Sequence, residues 1–166
     1  IGPTFYWMPD VFEDFFGDFG KKVSDYYHLE RLNPGYEIYF GEKDSIKIAD
    51  NLDDIMEAFE SIEPGSGKQL KKFIDRAGRN YDIAIKDLVY KPGKNIFEII
   101  TWKTAFKLNE FLDNIKSLVG RYIKNKKLRQ VLEFPVLFLG AKPGNTPAFY
   151  NFMNYADLQL GTWHPK

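Results

Sequence analysis

The sequence predicts an α+β fold, a mostly helical chain with one β-hairpin. Apolar residues recur at helical spacing through most of the 166 residues. One stretch near residue 40 instead alternates apolar and polar side chains, as a half-buried hairpin does. Hydrophobic residues make up 44% of the chain and charged residues 28%, which indicates a globular protein rather than a disordered one.

The first elements are a helix and the hairpin. Pro9 and Asp10 suit a helix N-terminus, and Gly20 suits its end. The segment 23–32 is ambiguous, a short helix being one interpretation. A turn signal, Asn33-Pro34-Gly35, then precedes the hairpin. The apolar side chains on the buried face of the hairpin are predicted to be Tyr36, Ile38, Phe40, Ile46 and Ile48.

Helical patterns occupy most of the remaining chain. Asn51 is a natural N-cap for the first of them. A two-stranded hairpin alone is marginally stable in water, so we expect it to pack on these helices or to join strands outside this sequence. The predicted helical stretches are residues 52–62, 70–88, 102–123, 128–139 with an interruption near Pro135, and 147–157.

Composition excludes several classes of function. Lys and Arg total 23, as do Asp and Glu, so the net charge of zero gives no field that would recruit nucleic acid. The absence of cysteine excludes disulfides and thiol catalysis, and it fits a cytoplasmic location. His28 and His164 lack the spacing of metal ligands, so no metal site is expected. The longest apolar run, residues 134–141, is too short to cross a membrane.

One phosphate-loop-like motif fails on inspection. Gly65-Ser66-Gly67-Lys68 is similar to the end of a Walker loop, but Ile62 and Gln69 stand where that loop needs Gly and Ser or Thr. The sequence also contains no Gly-x-Gly-x-x-Gly fingerprint of a dinucleotide site. We therefore predict a linker between two helices at residues 65–68.

Two features leave alternatives open. The basic stretch between Arg121 and Arg129 is typical of a solvated helix face, but beside the apolar residues 134–139 it also fits a peripheral membrane surface. Aromatic residues reach 17%, with 15 Phe and 10 Tyr. They suit an ordinary core, and they equally suit the lining of a site for a long apolar ligand.

Four short motifs are distributed over the whole chain. They are Gly2-Pro3-Thr4 followed by Met8-Pro9, Leu128-Arg129-Gln130 followed by Phe134, Pro143 through Pro147-Ala148 to Tyr150, and Gly161 to Lys166. Together they resemble the bacterial phytoene and carotenoid desaturases, an FAD-dependent family of amine-oxidase-like enzymes. Their order and spacing make the resemblance specific.

The resemblance implies a middle segment of a flavoenzyme that oxidises long apolar polyenes. The chain, which opens on Ile1 without a methionine, is then expected to be a single domain or an excised fragment, residues 1–166, from the substrate-binding or lid region. FAD would be bound in the parent protein, with none expected on this chain, and the isolated chain is predicted to be inactive. The implied partners are a polyene and a peripheral surface on the cytoplasmic face of a membrane, and no nucleic acid.

The resemblance also implies roles for individual residues. Gly2, Pro3 and Thr4 would lie against the flavin, and Arg129 would be catalytic, stabilising negative charge or orienting the flavin. Each has an ordinary alternative: a tight turn for Gly2-Pro3 and a surface cation for Arg129. The residues expected to bind substrate are Trp163, Pro165 and Tyr150, with core packing as the alternative for Trp163.

One departure from the family pattern affects the chemistry. Relatives often carry an acidic residue just before Leu-Arg, where this chain has Asn125-Lys126-Lys127. A carboxylate acting as acid or base at that place is therefore not predicted. The rival hypothesis, from a different class, is a standalone helical module that binds lipid or a partner protein. It draws on the aromatic content, the basic stretch and the lack of a complete catalytic constellation.

Overall fold

The computed structural model describes residues 6–89 and 108–166. The fold is α+β and mostly helical, as the sequence predicts. The residues expected to contact a flavin, Gly2, Pro3 and Thr4, lie outside the described residues. The α-helices are α1 (Pro9–Asp18), α2 (Leu52–Ile62), α3 (Ser66–Tyr81), α4 (Leu108–Leu112), α5 (Ile115–Tyr122), α6 (Lys126–Glu133) and α7 (Phe152–Leu158).

Shorter helical turns connect several of these elements. A π-helical segment, Asp82–Leu88, continues α3, and a 3₁₀ segment, Phe134–Leu139, continues α6. Further 3₁₀ turns cover Val23–Asp25, Pro143–Asn145 and Ala148–Asn151. The long helix predicted for residues 70–88 is thus present with a change of helical type near its end.

The strands form two antiparallel pairs. Strand β2 (Tyr36–Gly41) pairs with β3 (Asp44–Ile48), which is the predicted hairpin. Strand β1 (Leu29–Arg31) pairs with β4 (Trp163–Pro165), so that residues more than 130 positions apart lie side by side. Segment 23–32, one interpretation of which was a short helix, therefore forms a 3₁₀ turn and a strand. Its partner strand is too distant in sequence to leave a local pattern.

The main hydrophobic core lies between the hairpin and the helices. Strand β3 contributes Ile46 and Ile48, while Phe59 of α2 and Phe73 of α3 are completely buried. The hairpin is therefore stabilised by the helices, since a two-stranded ribbon alone cannot bury enough surface. Further large core side chains come from α2, α3, α5, α6 and α7, among them Ile55, Leu70, Ile74, Ile115, Leu118, Leu128, Leu132 and Leu158.

Asparagine side chains set the start of three helices. Asn51 accepts a hydrogen bond from the amide of Asp54 at 2.9 Å, as predicted for α2. Asn114 accepts one from Ser117 at 2.9 Å and begins α5. A single helix was predicted over residues 102–123, and the cap at Asn114 divides its described part into α4 and α5. Residues 102–107 lie outside the described residues. Asn125 caps α6 in the same way.

The phosphate-loop-like motif is closed by the protein itself. The carboxylate of Glu60 accepts hydrogen bonds from the amides of Gly65, at 2.6 Å, and Gly67, at 3.0 Å. These amides begin α3, so they are the groups that a phosphate would need. The carboxylate satisfies them instead. The motif follows a helix and binds no phosphate through these amides, but of the predicted linker 65–68 only Gly65 lies between the helices, because residues 66–68 form the first turn of α3.

Helix α1 stands apart from the main core. It has no buried residue, and the side chains of Phe15 within it and Phe19 directly after it are 57% and 67% exposed. One contact to the rest of the chain is the hydroxyl of Tyr81, which donates to the carboxylate of Asp10 at 2.9 Å. In the two described stretches, no helix has the length and apolar character needed to cross a membrane.

Candidate functional site

Helix α6 displays the second motif on two different faces. The amides of Lys127 and Leu128 donate to the side chain of Asn125, at 2.9 and 3.4 Å, and fix the start of the helix. Leu128 then points into the main core and is completely buried. Gln130 and Glu133, three residues apart and thus on one helix face, line a surface groove instead.

This groove, here called the hairpin groove, has a volume of about 310 Å³ and is open to solvent. Its walls come from strand β2, helix α6, the 3₁₀ segment Phe134–Leu139 and the start of the 3₁₀ turn Pro143–Asn145. Most of its lining is apolar. Its residues are Ile38, Tyr39, Phe40, Gln130, Glu133, Phe134, Leu137 and Pro143. The second motif and the start of the third therefore meet at one groove.

A row of aromatic rings leads away from the groove. Phe134, a groove residue, has its ring centroid 5.4 Å from that of Tyr36 and 5.7 Å from that of Phe138. Phe138 in turn meets Trp7 edge-on at 4.8 Å. The indole nitrogen of Trp7 donates to the hydroxyl of Thr162 at 3.1 Å. This aromatic row, Tyr36, Phe134, Phe138 and Trp7, thus connects the groove with the fourth motif.

The predicted substrate residues of the fourth motif lie on strand β4. The guanidinium carbon of Arg31 stands 5.7 Å from the centroid of the Trp163 ring, a cation–π contact. The indole nitrogen of Trp163 donates to the carbonyl of Leu160 at 2.9 Å. Its ring lines a second cavity, of about 280 Å³, together with Leu29 and other residues. Pro165 pairs with Leu29 across the strands.

The other predicted substrate residue, Tyr150, lies in the 3₁₀ turn after the loop. Its ring centroid is 5.6 Å from that of Phe152, and it packs against the main core while remaining half-buried. The predicted residues therefore fall at three places: α6, the turn at Tyr150, and strand β4. Whether Tyr150, Trp163 and Pro165 contact a substrate stays a prediction.

Arg129 joins two helices. Its Nε donates to the carbonyl of Ile123, the residue that ends α5, at 2.7 Å. The guanidinium lies over Gly120, where an added Cβ would stand 3.7 Å from the guanidinium carbon. This contact satisfies a carbonyl at the C-terminus of a helix, where a positive charge is favourable. The catalytic role of Arg129 stays a prediction beside this structural contact.

Two acidic residues near the site have perturbed ionisation. Burial raises the pKa of Asp157 to about 7. The hydroxyl of Tyr36 donates a hydrogen bond to its carboxylate at 2.5 Å, and this bond has the opposite effect of lowering the pKa. Burial also raises the pKa of Glu133, while the positive charges of Lys116 and Arg129 oppose that rise. The sequence analysis missed both residues. For Asp157 a signal existed, because an acid inside the apolar pattern 152–158 has no helix-capping role.

The described residues do not form a fitting site for a flavin. A Cβ at Gly161 would lie 2.6 Å from Nε of Arg31, so that side chain already fills the space beside this glycine. The amides at the start of α3 are occupied by Glu60. Likewise, among residues 6–89 and 108–166 no group of three or more His, Cys, Asp or Glu residues could hold a metal ion. What the geometry does define is an α+β protein with an open, mostly apolar surface groove.

Comparison with known proteins gives the family. The chain is 36% identical to a carotenoid 3,4-desaturase of Haloarcula japonica, over 99% of this chain and 34% of that protein. It is 27% identical to a 4,4'-diapophytoene desaturase (4,4'-diaponeurosporene-forming) of Staphylococcus haemolyticus, over 100% of this chain and 34% of that protein. It is 30% identical to the Staphylococcus aureus protein of the same name, over 97% of this chain and 32% of that protein. No protein-family model matches the chain.

The chain belongs to the carotenoid desaturase family. It spans about one third of the length of the curated relatives it matches. The resemblance that the four motifs indicated is therefore confirmed at the level of the family.

Proposed function

We propose that this chain is the polyene-binding part of an FAD-dependent carotenoid desaturase. The observation that carries the proposal is the convergence of the second and third motifs at the hairpin groove. Gln130 and Phe134 come from one motif and Pro143 from the other, and β2 supplies the facing wall. Desaturase activity belongs to the names of the relatives, and its extension to the protein that carries this chain is part of the proposal.

The groove and the aromatic row suit a long, flat, apolar molecule. Burial of apolar surface contributes about 0.8 kcal/mol per CH₂ group. Ring faces and edges add contacts at defined distances without requiring polar groups on the ligand. Phe134 belongs to both the groove and the row, so an extended polyene leaving the groove would continue past Phe138 towards Trp7. The role of the chain would be to hold the polyene and keep water from it.

The redox chemistry would come from FAD bound in the parent protein. When bound, a flavin would supply the two-electron acceptor for oxidation of the polyene. Since the described residues do not fit a flavin, its place is proposed to be formed with residues outside them, Gly2, Pro3 and Thr4 included. Arg129 is proposed as the catalytic residue of this chain. Trp163, Pro165 and Tyr150 are proposed to bind substrate beyond the groove.

The proposal is tested by binding of an acyclic hydrocarbon polyene to the full-length protein, followed by quenching of tryptophan fluorescence. Leu137 lines the groove and is 65% exposed, so Leu137→Asn alters the lining without opening the core. We expect it to weaken binding by roughly 10-fold, the effect of about 1.4 kcal/mol. Leu112→Asn is the matched control, because Leu112 lies on α4 and is 87% exposed.

If Leu137→Asn and Leu112→Asn bind the polyene with equal affinity, the hairpin groove is not the polyene-binding site. No binding of any polyene by the folded wild-type protein would remove the function itself.

A second candidate function rests on the exposed aromatic side of α1. Phe12, Phe15 and Phe19 are exposed, and Lys21 and Lys22 follow directly. Aromatic side chains beside cations favour an anionic membrane surface, which would place the protein peripherally on the cytoplasmic face. The test is sedimentation with vesicles that contain anionic lipid. The double variant Phe15→Ser/Phe19→Ser should lose cosedimentation, and its full retention would exclude this face.

A further inference from the structure

A second groove lies between helices α2 and α3 and is here called the helical groove. Its volume is about 740 Å³, and it is open to solvent. Its two walls carry opposite charges, because the acids that line it come from α2 and the lysines from α3. The acidic row is Asp53, Glu57 and Glu60, and the basic row is Lys68, Lys71 and Lys72.

The two rows do not neutralise each other within one molecule. In the part of the chain that the structure describes, no ion pair within 4 Å joins an acid of one row to a lysine of the other. Lys71 instead pairs with Asp75 on its own helix, and Glu60 accepts hydrogen bonds from two backbone amides at the start of α3. The exposed side chains of Glu57 and Lys72 therefore remain available to a partner.

The helical groove also offers apolar contact. Met56 lines it and packs against the main core. The helices meet closely there, since a Cβ added at Gly67 would stand 2.8 Å from the carbonyl oxygen of Met56. The methylene stems of the lysines add apolar surface while their charged ends stay in water. Apolar contact combined with polar and charged pairs is the usual composition of a protein interface.

The charge pattern of the groove is complementary to itself. A two-fold interface places the same surface of two copies face to face. If the two-fold axis runs along the groove, α2 of each copy lies against α3 of the other, and each acidic row meets a basic row. If the axis runs across the groove, α2 meets α2 and like charges face each other, which is unfavourable. The charges thus favour one of the two arrangements.

We propose that the helical groove is an interface between two copies of the protein, in which the acidic row of each copy pairs with the basic row of the other. The proposal does not depend on polyene binding, because the helical groove and the hairpin groove share no lining residue. An anionic membrane is a less suitable partner, since the acidic wall would repel it.

The test is sedimentation velocity of the full-length protein at low ionic strength, where exposed charges are least screened. Lys72→Glu reverses a charge of the basic row, and Glu57→Lys reverses one of the acidic row. Both residues are exposed, so the fold should be retained, which circular dichroism checks. The matched controls are Lys116→Glu and Glu42→Lys, because both residues are exposed and lie outside the lining of the groove.

We expect the wild type and both controls to form dimers. Each reversal occurs twice in a two-fold dimer, so Lys72→Glu and Glu57→Lys should each raise the dimer Kd on the order of 10-fold or more. An equimolar mixture of these two variants should form dimers again. In the mixed dimer the new glutamate of one copy faces the acidic row of the other, where Glu57→Lys supplies a positive charge.

A monomeric wild type at micromolar concentrations would overturn the proposal, whether or not Lys72→Glu weakens cosedimentation with anionic vesicles. If it does weaken it, the groove is a membrane contact instead. A dimer whose Kd is the same in Lys72→Glu and Glu57→Lys as in the controls would place the interface elsewhere. Failure of the mixture to form dimers would exclude the pairing of acidic with basic rows. None of these outcomes bears on polyene binding.

Discussion

Replacing Asp157 by Asn should destabilise the protein at acidic pH and stabilise it at alkaline pH. The carboxyl is 2% exposed, accepts one hydrogen bond from Tyr36, and has its other oxygen buried without a partner. Its pKa is raised to about 7 by burial. The ordinary value is about 3.9, so the folded protein binds this proton more tightly than the unfolded chain does.

The magnitude follows from linkage. A pKa difference of about three pH units corresponds to about 4 kcal/mol, at 1.36 kcal/mol for each unit. Because the folded pKa of this acid is the higher one, its contribution is most favourable below about pH 4. The contribution declines as the pH rises to about 7, and above that the full cost of the buried charge remains.

Asp157→Asn removes this dependence and introduces a different cost. The amide oxygen can still accept from Tyr36, but the amide nitrogen would be a buried donor without a partner, at about 1–3 kcal/mol. We expect the variant to be less stable than the wild type at pH 4 by about that amount. At pH 8 we expect it to be more stable, by roughly 1–3 kcal/mol. The free energy of unfolding is measured by urea denaturation at several pH values, with circular dichroism as the signal.

Two further variants make this experiment decisive. Asp53→Asn is the control, since Asp53 is exposed on α2. The difference in free energy of unfolding between this variant and the wild type should change by less than about 1 kcal/mol over the same pH range. Tyr36→Phe removes the hydrogen bond that lowers the pKa of Asp157, so the pH-dependent decline should extend to higher pH. A difference between Asp157→Asn and wild type that stays constant from pH 4 to 8 would refute the reasoning.

The remaining predictions concern packing and capping, each measured as a change in the free energy of unfolding. Gly78→Ala should destabilise by about 1–3 kcal/mol, since its Cβ would lie 2.8 Å from the ring of Tyr155. Gly17→Ala, with open space around it in α1, should instead stabilise by up to about 1 kcal/mol. Asn125→Ala should cost about 0.5–2 kcal/mol by uncapping α6. Phe73→Ala, at a fully buried site, should cost about 3–5 kcal/mol, and a loss below 1 kcal/mol would contradict the core assignment.

Local patterns were enough to predict much of this fold. The hairpin follows from alternation over residues 36–48, and α2 follows from the Asn51 cap and the apolar spacing behind it. Both are determined by residues that are neighbours in sequence. The pairing of β1 with β4 has no such signal, because each strand has three residues and its partner lies across the whole chain. A pairing of this kind is specified by tertiary packing.

The candidate site was predictable in part, for the same reason. The motifs around Arg129, Tyr150 and Trp163 could be identified from residue types and spacing. The groove could not, since its wall on strand β2 comes from residues about 90 positions before Gln130. The sequence does not single out Glu133, because an acidic residue at the end of an amphipathic helix is usually solvated. Only its position among groove residues distinguishes it.

Helix α6 packs into the main core on one face and lines the hairpin groove on another. Its buried side chains Leu128, Val131 and Leu132 anchor it in the main core, while Gln130 and Glu133 face the groove from the same eight residues. Changes on the groove face therefore leave the core contacts intact, as surface substitutions generally do. On the opposite wall, β3 contributes Ile46 and Ile48 to the core, while Ile38 and Phe40 of β2 line the groove and also pack against the core. Under the proposed function, one or two substitutions on the α6 side of the groove would change the polyene that it accepts without a compensating change in the fold.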